Sequence, residues 1–337
     1  MNFKIIDLFA GIGGLRLGIE NAICKNGDTS KCVFSSEIDK YAIQTYITNF
    51  GKTNFYGDIT NLKNEKSIRE IIPNFDILLA GFPCQPFSQA GLRKGFNDTR
   101  GTLFFWIEKI LKIKKPNSFL LENVKHLKGH NNGETLKTIL RILRKDYYVP
   151  EPKILNARDF GLPQNRERIY IVGFLKNNGD FEYPRPLKIQ TSLGSVLEKR
   201  VSKKYTISSK LWQGHQRRKK EHKIKGNGFG YGLFDKNSNY TNTISARYYK
   251  DGSEVLIRRG KNKNPRKLTE RECARLQGFP ENFKIPVSCN QAYKQFGNSV
   301  PVKVIEAIGE QMIKYLKNQN INKLSHEQLL FGNLNLN

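Results

Sequence analysis

The feature that most constrains the fold is an alternation of short apolar runs with amphipathic segments between residue 3 and about residue 175. Short apolar runs suit strands that are buried on both faces, and the amphipathic segments suit helices that cover them. This order is typical of βαβ units and predicts a mostly parallel, Rossmann-like α/β sheet. The predicted strands are residues 4–9, 31–35, 54–56, 75–80, 118–122, 147–155 and 168–174, and the predicted helices are residues 14–22, 40–49, 103–114 and 134–145.

The alternation stops near residues 183–186, a Pro-containing segment that we interpret as a linker. Residues 187–287 are rich in Gly, Lys and Tyr without long helical periodicity, which predicts a second, smaller, irregular β-containing domain. Periodicity returns in residues 300–316, and the resulting helix is expected to cover the large sheet. The predicted organisation is a main domain of residues 1–186 plus 288–320, a small domain of residues 187–287, and a C-terminal tail of residues 321–337.

The charge of the chain is strongly positive. It carries 57 Lys and Arg against 30 Asp and Glu, a formal net charge of +27. Such an excess indicates a polyanionic partner, most often nucleic acid, although a proteome rich in Lys, Asn and Ile also contributes. The basic residues cluster late in the chain, at residues 217–225, 258–259 and 261–267, which favours a binding role over a uniform bias.

The sequence also predicts where the protein is located and whether it binds a metal. No run of 18 or more apolar residues occurs, so no membrane span is expected, and the N-terminal segment has no signal-peptide h-region. The expected location is the cytosol. The five cysteines are scattered and contain no C-x-x-C pair, which argues against a disulfide framework or a zinc site, and no metal is predicted.

A glycine-rich turn separates the first predicted strand from the first helix, in Asp7-Leu8-Phe9-Ala10-Gly11-Ile12-Gly13-Gly14. Such a turn lets a cofactor approach backbone N–H groups, but alone it is weak support. Two acids strengthen it: Glu37 ends the second strand, where a carboxylate can bind ribose hydroxyls, and Asp58 ends the third, where it can accept from an adenine amine. The spacing suits an adenosine-containing cofactor.

Cys84 lies just after the apolar run of residues 76–80, in Gly81-Phe82-Pro83-Cys84-Gln85-Pro86-Phe87-Ser88. Open α/β sheets bind ligands at the carboxyl ends of their strands, so this thiol is placed as a nucleophile would be. A buried structural cysteine is the alternative.

Glu122 and two arginines complete the candidate site. Glu122 ends the apolar strand 118–122, where burial should raise its pKa and suit it to donate a proton or hydrogen bond to a ring nitrogen; a solvated acid is the alternative. Arg166 and Arg168 flank Glu167 before the last strand. The paired N–H donors of their guanidinium groups suit the recognition of a phosphate or a carbonyl; a surface ion-pair cluster is the alternative.

Taken in order, these motifs resemble the DNA cytosine-5 methyltransferases, in particular those of bacterial restriction-modification systems. The matching segments run from residue 5 to residue 301. They are residues 7–14, 57–59, 83–88, 122–124, 164–168, 271–280 and 295–300.

The resemblance implies S-adenosylmethionine as the cofactor. The residues it assigns to the cofactor site are Phe9, Gly11, Ile12, Gly13, Glu37, Ile38, Asp58, Ile59, Pro83, Leu103, Asn298 and Val300. Ile38 departs from the pattern, because several members carry an aromatic residue there, beside the adenine.

The resemblance also implies the chemistry. Cys84 would add to C6 of cytosine, Glu122 would contact N3 and the exocyclic amine, and Arg168 would lie on the O2 side with Arg166 nearby. The base would be flipped out of duplex DNA, beneath a mobile loop of residues 85–100. Gln85 and Ser88 would contact the DNA.

Sequence recognition in this family lies between the Gln-x-Arg-x-Arg strand and residue 271. Residues 204–208 and 226–232 resemble members that methylate CCGG, CCWGG or CCNGG, and residues 243–254 resemble the CCWGG and CCNGG group most. Arg247 and Lys250 are candidates to read guanine edges, with phosphate contact as the alternative. We expect a monomer on double-stranded DNA, paired in function with a restriction endonuclease.

Three other functions compete. A transfer-RNA cytosine-5 methyltransferase shares much of the core, but its relatives carry Cys-Phe-Thr where residues 125–127 read Lys-His-Leu. A non-catalytic DNA-binding module would not need Cys84, Glu122 and the cofactor acids together. A dinucleotide oxidoreductase gives the Pro-Cys-Gln segment no role.

Overall fold

The computed structural model describes residues 1–52, 54–83, 103–187, 189–228 and 230–332, with the backbone alone for residues 319–332. A seven-stranded sheet organises most of them, in the order β3-β2-β1-β4-β5-β7-β6. The strands are β1 (Asn2–Leu8), β2 (Thr29–Ser36), β3 (Phe55–Tyr56), β4 (Ile77–Gly81), β5 (Ser118–Val124), β6 (Lys153–Asn156) and β7 (Glu167–Phe174). β7 runs antiparallel to β5 and β6, and the other neighbours are parallel.

The described residues also form ten helices, some of which cover the two faces of this sheet. They are α1 (Gly14–Lys25), α2 (Lys40–Phe50), α3 (Glu65–Ile71), α4 (Phe104–Lys114), α5 (Glu134–Leu143), α6 (Ser209–Ile224), α7 (Tyr248–Asp251), α8 (Glu270–Leu276), α9 (Cys289–Asn298) and α10 (Val302–Gly332). A second sheet pairs only β8 (Leu233–Phe234) with β9 (Leu256–Ile257). The predicted α/β class with an irregular, β-containing smaller part is therefore confirmed. No helix in the described part of the chain is both long and apolar enough to cross a membrane.

The strand order creates a crevice. The chain leaves β1 through α1 toward β2 and β3, then returns to place β4 on the other side of β1. Connections therefore diverge at the β1–β4 pair, and such a switch point opens a crevice at the carboxyl ends of the strands. The Phe9–Gly13 turn and the Phe82–Pro83 segment follow these two strands.

The helix α10 covers the sheet as predicted, since Val304, Ile308 and Met312 share one core cluster with Ile5 and Leu79. Glycines set its distance from α1. A Cβ on Gly18 would lie 2.5 Å from the Cβ of Ile305, and one on Gly309 would lie 2.7 Å from that of Ala22. Real Cβ atoms do not approach so closely, so the α1–α10 packing depends on these two small residues.

Two local expectations were wrong. The predicted strand 147–155 is interrupted by Pro150 and Pro152, which lack the N–H donors of a ladder, so only Lys153–Asn156 forms β6 and Tyr148 makes one isolated bridge with Phe174. The region 187–287 contains a 16-residue helix, α6, although no helical periodicity was seen there. The backbone of α10 continues through Gly332, into the predicted tail.

Candidate active site

The turn after β1 is shaped by positive backbone φ angles, +54° at both Phe9 and Gly11 and +81° at Gly13. Gly13 is also sterically required, because a Cβ there would lie 2.3 Å from the Phe50 ring. The turn leads directly into α1, and the N–H of Leu17 begins the helix by donating to Gly13 O at 2.9 Å. Phe9, Gly11 and Ile12 of this turn line the crevice.

Two carboxylates stand at the ends of β2 and β3. Glu37 Oε2 accepts from the N–H of Gly11 at 2.8 Å, and its Oε1 accepts from the N–H groups of Ile38 and Asp39 at 2.8 and 2.9 Å. Asp58 Oδ1 accepts from the N–H and the hydroxyl of Thr60 at 2.9 and 2.8 Å. Backbone donors thus fix both carboxylates, while each keeps spare lone pairs for a ligand.

A cleft of about 450 Å³ brings these groups together. This volume lies within the usual range for small-molecule sites, roughly 300–1,000 Å³. The predicted site residues that line it are Phe9, Gly11, Ile12, Glu37, Ile38, Asp58, Ile59, Pro83, Leu103, Glu122, Arg168, Asn298 and Val300. Gly13 shapes the turn without lining the cleft.

Glu122 and Arg168 form a buried ion pair at one side of the cleft. Arg168 Nε lies 3.1 Å from Glu122 Oε1, and the two side chains are only 15% and 10% exposed. Burial raises the pKa of Glu122 above its usual range, and the nearby guanidinium groups of Arg168 and Arg166 only partly oppose this. The carboxyl group is therefore more easily protonated than an ordinary glutamate, as predicted from the apolar strand.

Glu122 lies beside the last residue of β4. In the parallel β4–β5 ladder Glu122 pairs with Gly81, and its Oε2 lies 3.5 Å from where a Gly81 Cβ would be. Asn123 Nδ2 donates to Phe82 O at 2.9 Å and so holds the chain that leads to Pro83. Cys84, Gln85, Ser88 and the rest of the predicted loop 85–100 lie outside the described residues, but Pro83 and Leu103, which flank residues 84–102, both line the cleft.

Arg166 lies away from the cleft, although Arg168, two residues further on, lines it. Arg166 is 1% exposed. Its Nη1 donates to Ile244 O at 2.9 Å, and its Nη2 donates to Gly297 O and Ser299 O at 3.0 and 2.5 Å. Because these carbonyls engage both terminal nitrogens, Arg166 ties the chain before α7 to the end of α9. Its expected role near the substrate, beside Arg168, stays a prediction.

Sequence reasoning missed one face of α9. Gln291, Lys294, Gln295 and Asn298 all line the cleft, at the spacing i, i+3, i+4 and i+7 that puts residues on one side of a helix. Only Asn298 was named from the sequence, although this spacing could have identified the other three.

Arg247 and Lys250 do not line the cleft. They lie at the start of α7 and within it, and both are exposed. Between them Tyr248 is fully buried, where its hydroxyl donates to Val255 O at 2.6 Å and accepts from the N–H of Leu268 at 2.8 Å. Tyr249 packs under the Lys294 ammonium, 4.9 Å from the ring centre. The α7 turn is therefore fixed beside the wall of the cleft and presents two cations to solvent.

The fold and cleft define an α/β protein with a cleft of small-molecule size beside a buried Glu–Arg pair. Residues 3–314 match the family model "C-5 cytosine-specific DNA methylase". The chain is 63% identical to the Type II methyltransferase M.NlaX of Neisseria lactamica, over 92% of this chain and 96% of that protein. It is 60% identical to the Type II methyltransferase M1.ScrFI of Lactococcus lactis subsp. cremoris, over 94% and 79% respectively.

The chain therefore belongs to the C-5 cytosine-specific DNA methylase family and is a DNA cytosine-5 methyltransferase. Its fold is also similar to that of the S. pombe Dnmt2 methyltransferase, with a TM-score of 0.75 at 19% identity, covering 94% of this chain and 99% of that one. At that identity the likeness concerns the fold alone.

Proposed function

We propose that the cleft binds S-adenosylmethionine together with a cytosine flipped out of duplex DNA, and that Cys84 is the nucleophile. The observation that carries this proposal is the convergence of separate chain segments on one cleft: Glu37, Asp58, Glu122 and Asn298 come from four different parts of the chain and all line it. If these four residues had only structural roles, they would not need to line the same cavity.

The residues present fit this cofactor. In this proposal Glu37 binds the ribose hydroxyls and Asp58 the adenine amine, while Ile38, Ile59 and Val300, which line the cleft, contact the adenine ring. Ile38 is 73% exposed, so a bound adenine would cover apolar area that now faces water. When bound, S-adenosylmethionine supplies an electrophilic methyl group on its sulfonium.

The remaining chemistry belongs to the protein. The Cys84 thiolate forms a bond to C6, which makes C5 carbanion-like and able to accept the methyl group. Protonated Glu122 donates to N3 and so stabilises the charge that develops as C6 is attacked, and Arg168 donates to O2 while holding Glu122. Loss of the C5 proton then expels the thiolate and restores the aromatic ring. The groups must surround the base, which requires flipping at a cost of a few kcal/mol.

The proposed target is the inner cytosine of CCWGG or CCNGG, with CCGG as the second candidate. Support comes from the resemblance of residues 243–254 to that group of methyltransferases and from the exposed position of Arg247 and Lys250 on α7. We further propose a small recognition domain of residues 187–287, a monomer on DNA, and a cytoplasmic partnership with a restriction endonuclease.

The proposal is tested with labelled S-adenosylmethionine and four duplexes, which contain CCAGG, CCCGG, CCGG or GGCC. Methyl incorporation is expected in CCAGG, with bisulfite sequencing placing it on the inner cytosine; incorporation in CCCGG as well indicates CCNGG. Incorporation confined to GGCC would contradict the proposed target. Incorporation in none of the four duplexes would contradict both the target and the resemblance of residues 243–254 to the CCWGG and CCNGG group.

The nucleophile is tested separately. Cys84→Ser should abolish methyl transfer while leaving cofactor binding nearly intact. Wild type should form a covalent adduct with duplex DNA carrying 5-fluorocytosine, because the fluorine at C5 cannot leave as a proton does. Near-normal turnover by the serine variant would overturn the assignment.

A further inference from the structure

The helix α6 has two chemically different sides. Of its sixteen residues only His215 is buried. One side carries Leu211, Trp212, His215, Arg218 and Lys219, and the other carries Gln213, Gln216, Arg217, Lys220 and Lys223. We call the second set the outer face of α6. All five of its residues are exposed.

The inner side of α6 packs against Tyr231 and against the recognition segment, which is residues 243–254. Trp212 packs edge-on against Tyr231 at 4.7 Å between ring centres, and the Lys219 ammonium lies 4.4 Å from the same ring centre. Arg218 Nη2 lies 3.3 Å from Asp251 Oδ2, and His215 Nε2 lies 3.3 Å from Asp251 O. Asp251 is the last residue of α7, so α6 is held directly beside the turn that presents Arg247 and Lys250.

The outer face has no comparable contacts. Lys220 and Lys223 make no ion pair with any residue in the described part of the chain, and Arg217 has only an exposed i,i+4 pair with Glu221 at 3.5 Å, with 77% and 55% of the side chains accessible. Such a pair contributes little to stability. The fold therefore does not need these three cations, yet they are aligned on one side of a helix that is docked at the recognition segment.

We propose that the outer face of α6 binds the sugar–phosphate backbone of duplex DNA next to the target site. This inference rests on the proposed function. The face extends over about 15 Å at 1.5 Å per residue, roughly the length of four base pairs along the duplex. Arg and Lys neutralise phosphates and Gln donates to their oxygens, so the donor set fits this partner. These contacts would hold the DNA without reading its sequence.

The test compares two triple variants with the same change of charge. The outer-face variant is Arg217→Gln, Lys220→Gln and Lys223→Gln. The control is Lys112→Gln, Arg141→Gln and Lys145→Gln, three exposed cations on or next to α4 and α5. Those helices belong to a core cluster whose described members all come from residues 6–175. Unchanged melting temperatures would show that both variants fold.

Binding of each protein to a cognate and a non-cognate duplex is measured as a function of salt. Each lost phosphate contact reduces the log–log slope by about 0.9, so the outer-face variant should lose about 2 to 3 from the magnitude of its slope on both duplexes. The control should lose less than about 1, and the ratio of cognate to non-cognate affinity should stay the same for both variants.

The outcomes separate this inference from the function on which it rests. Suppose that wild type methylates duplex DNA and that the outer-face variant has the same log–log salt slope as the control. This result would overturn the inference but not the proposed function. An outer-face variant that loses discrimination between the duplexes would also overturn it, because phosphate contacts carry no sequence information. Wild type that binds no duplex at all would overturn both.

Discussion

The cleft and the recognition segment of residues 243–254 are built in different ways. The cleft is formed where strands of a regular seven-stranded sheet end: Glu122 lies in the β4–β5 ladder, and Glu37 and Asp58 follow the last residues of β2 and β3. The recognition segment has one four-residue helix and is held by individual side chains, such as Ser245 Oγ donating to Glu254 Oε1 at 2.6 Å. Repeated backbone geometry thus fixes the cleft, while a few side chains fix the segment that we propose faces the DNA.

The two regions meet at the end of α9. A Cβ on Gly297 would lie 2.2 Å from Ser245 O, so only glycine allows the recognition segment to approach this closely. Arg166 donates to carbonyls on both sides of this junction. The cleft wall and the recognition segment are consequently one packed unit, and the following changes test how separable they are.

The largest effect is expected inside the cleft. Glu122→Gln keeps the shape of the side chain but removes the proton that a carboxyl group donates, so kcat/KM should fall by about 10² to 10⁴. Glu167→Gln is the control, because Glu167 lies on the neighbouring strand β7 in a more exposed ion pair with Lys125. Single-turnover methyl transfer at saturating cofactor measures both. A Glu122 variant within threefold of wild type would remove the glutamate from the chemistry.

Arg166→Met should damage both regions together. The substitution leaves buried carbonyls without their donor and should lower the free energy of unfolding by about 3 kcal/mol, measured by urea denaturation. Cofactor affinity and discrimination between duplexes should weaken in the same variant. Arg158→Met, at a half-exposed arginine paired with Asp159, should change stability by less than about 0.5 kcal/mol. Loss of discrimination with full stability would instead indicate direct DNA contact by Arg166.

Arg247→Ala should affect the recognition segment alone. If this side chain reads a guanine, discrimination against a substitution at one base pair should fall by about 1 to 3 kcal/mol, while binding to random duplex changes little. Competition binding with single-substitution duplexes measures this. Equal weakening on every duplex would identify Arg247 as a phosphate contact.

The last effect concerns the strand beneath the cleft. Asp7 is fully buried on β1 and neither carboxylate oxygen has a hydrogen-bond partner among the described residues. Burial raises its pKa well above the usual range, and the Arg16 guanidinium only partly opposes this. Between the unfolded and folded pKa values the native state binds more protons, so stability falls as pH rises, by up to about 1.4 kcal/mol per pH unit.

Asp7→Asn should remove this dependence, so the variant gains stability relative to wild type as the pH increases. Urea denaturation at several pH values between 5 and 9 measures the difference between the two proteins. A difference that does not change with pH would show that Asp7 titrates alike in the folded and unfolded states.

The sequence alone predicted the sheet, five of the ten helices in the described residues and the acids of the cleft. These succeeded because apolar runs and glycine turns act locally, and because parallel strands end at a common edge. It failed at the strand 147–155, where two prolines outweighed the apolar pattern, and at α6. That helix is polar on nearly all sides, so hydrophobic periodicity, the main helix signal, had nothing to detect.

What the sequence determined by itself is the family, the α/β fold and the residue types of the site, since each depends on motifs or on short-range periodicity. Only the tertiary structure decided that Arg166 positions the α9 junction while Arg168 pairs with Glu122, although the two lie two residues apart on the chain. It also decided which cations of α6 face inward and which outward. Both distinctions depend on which distant segment packs against a side chain, and that is settled by contacts between residues such as Arg166 and Gly297, 131 positions apart.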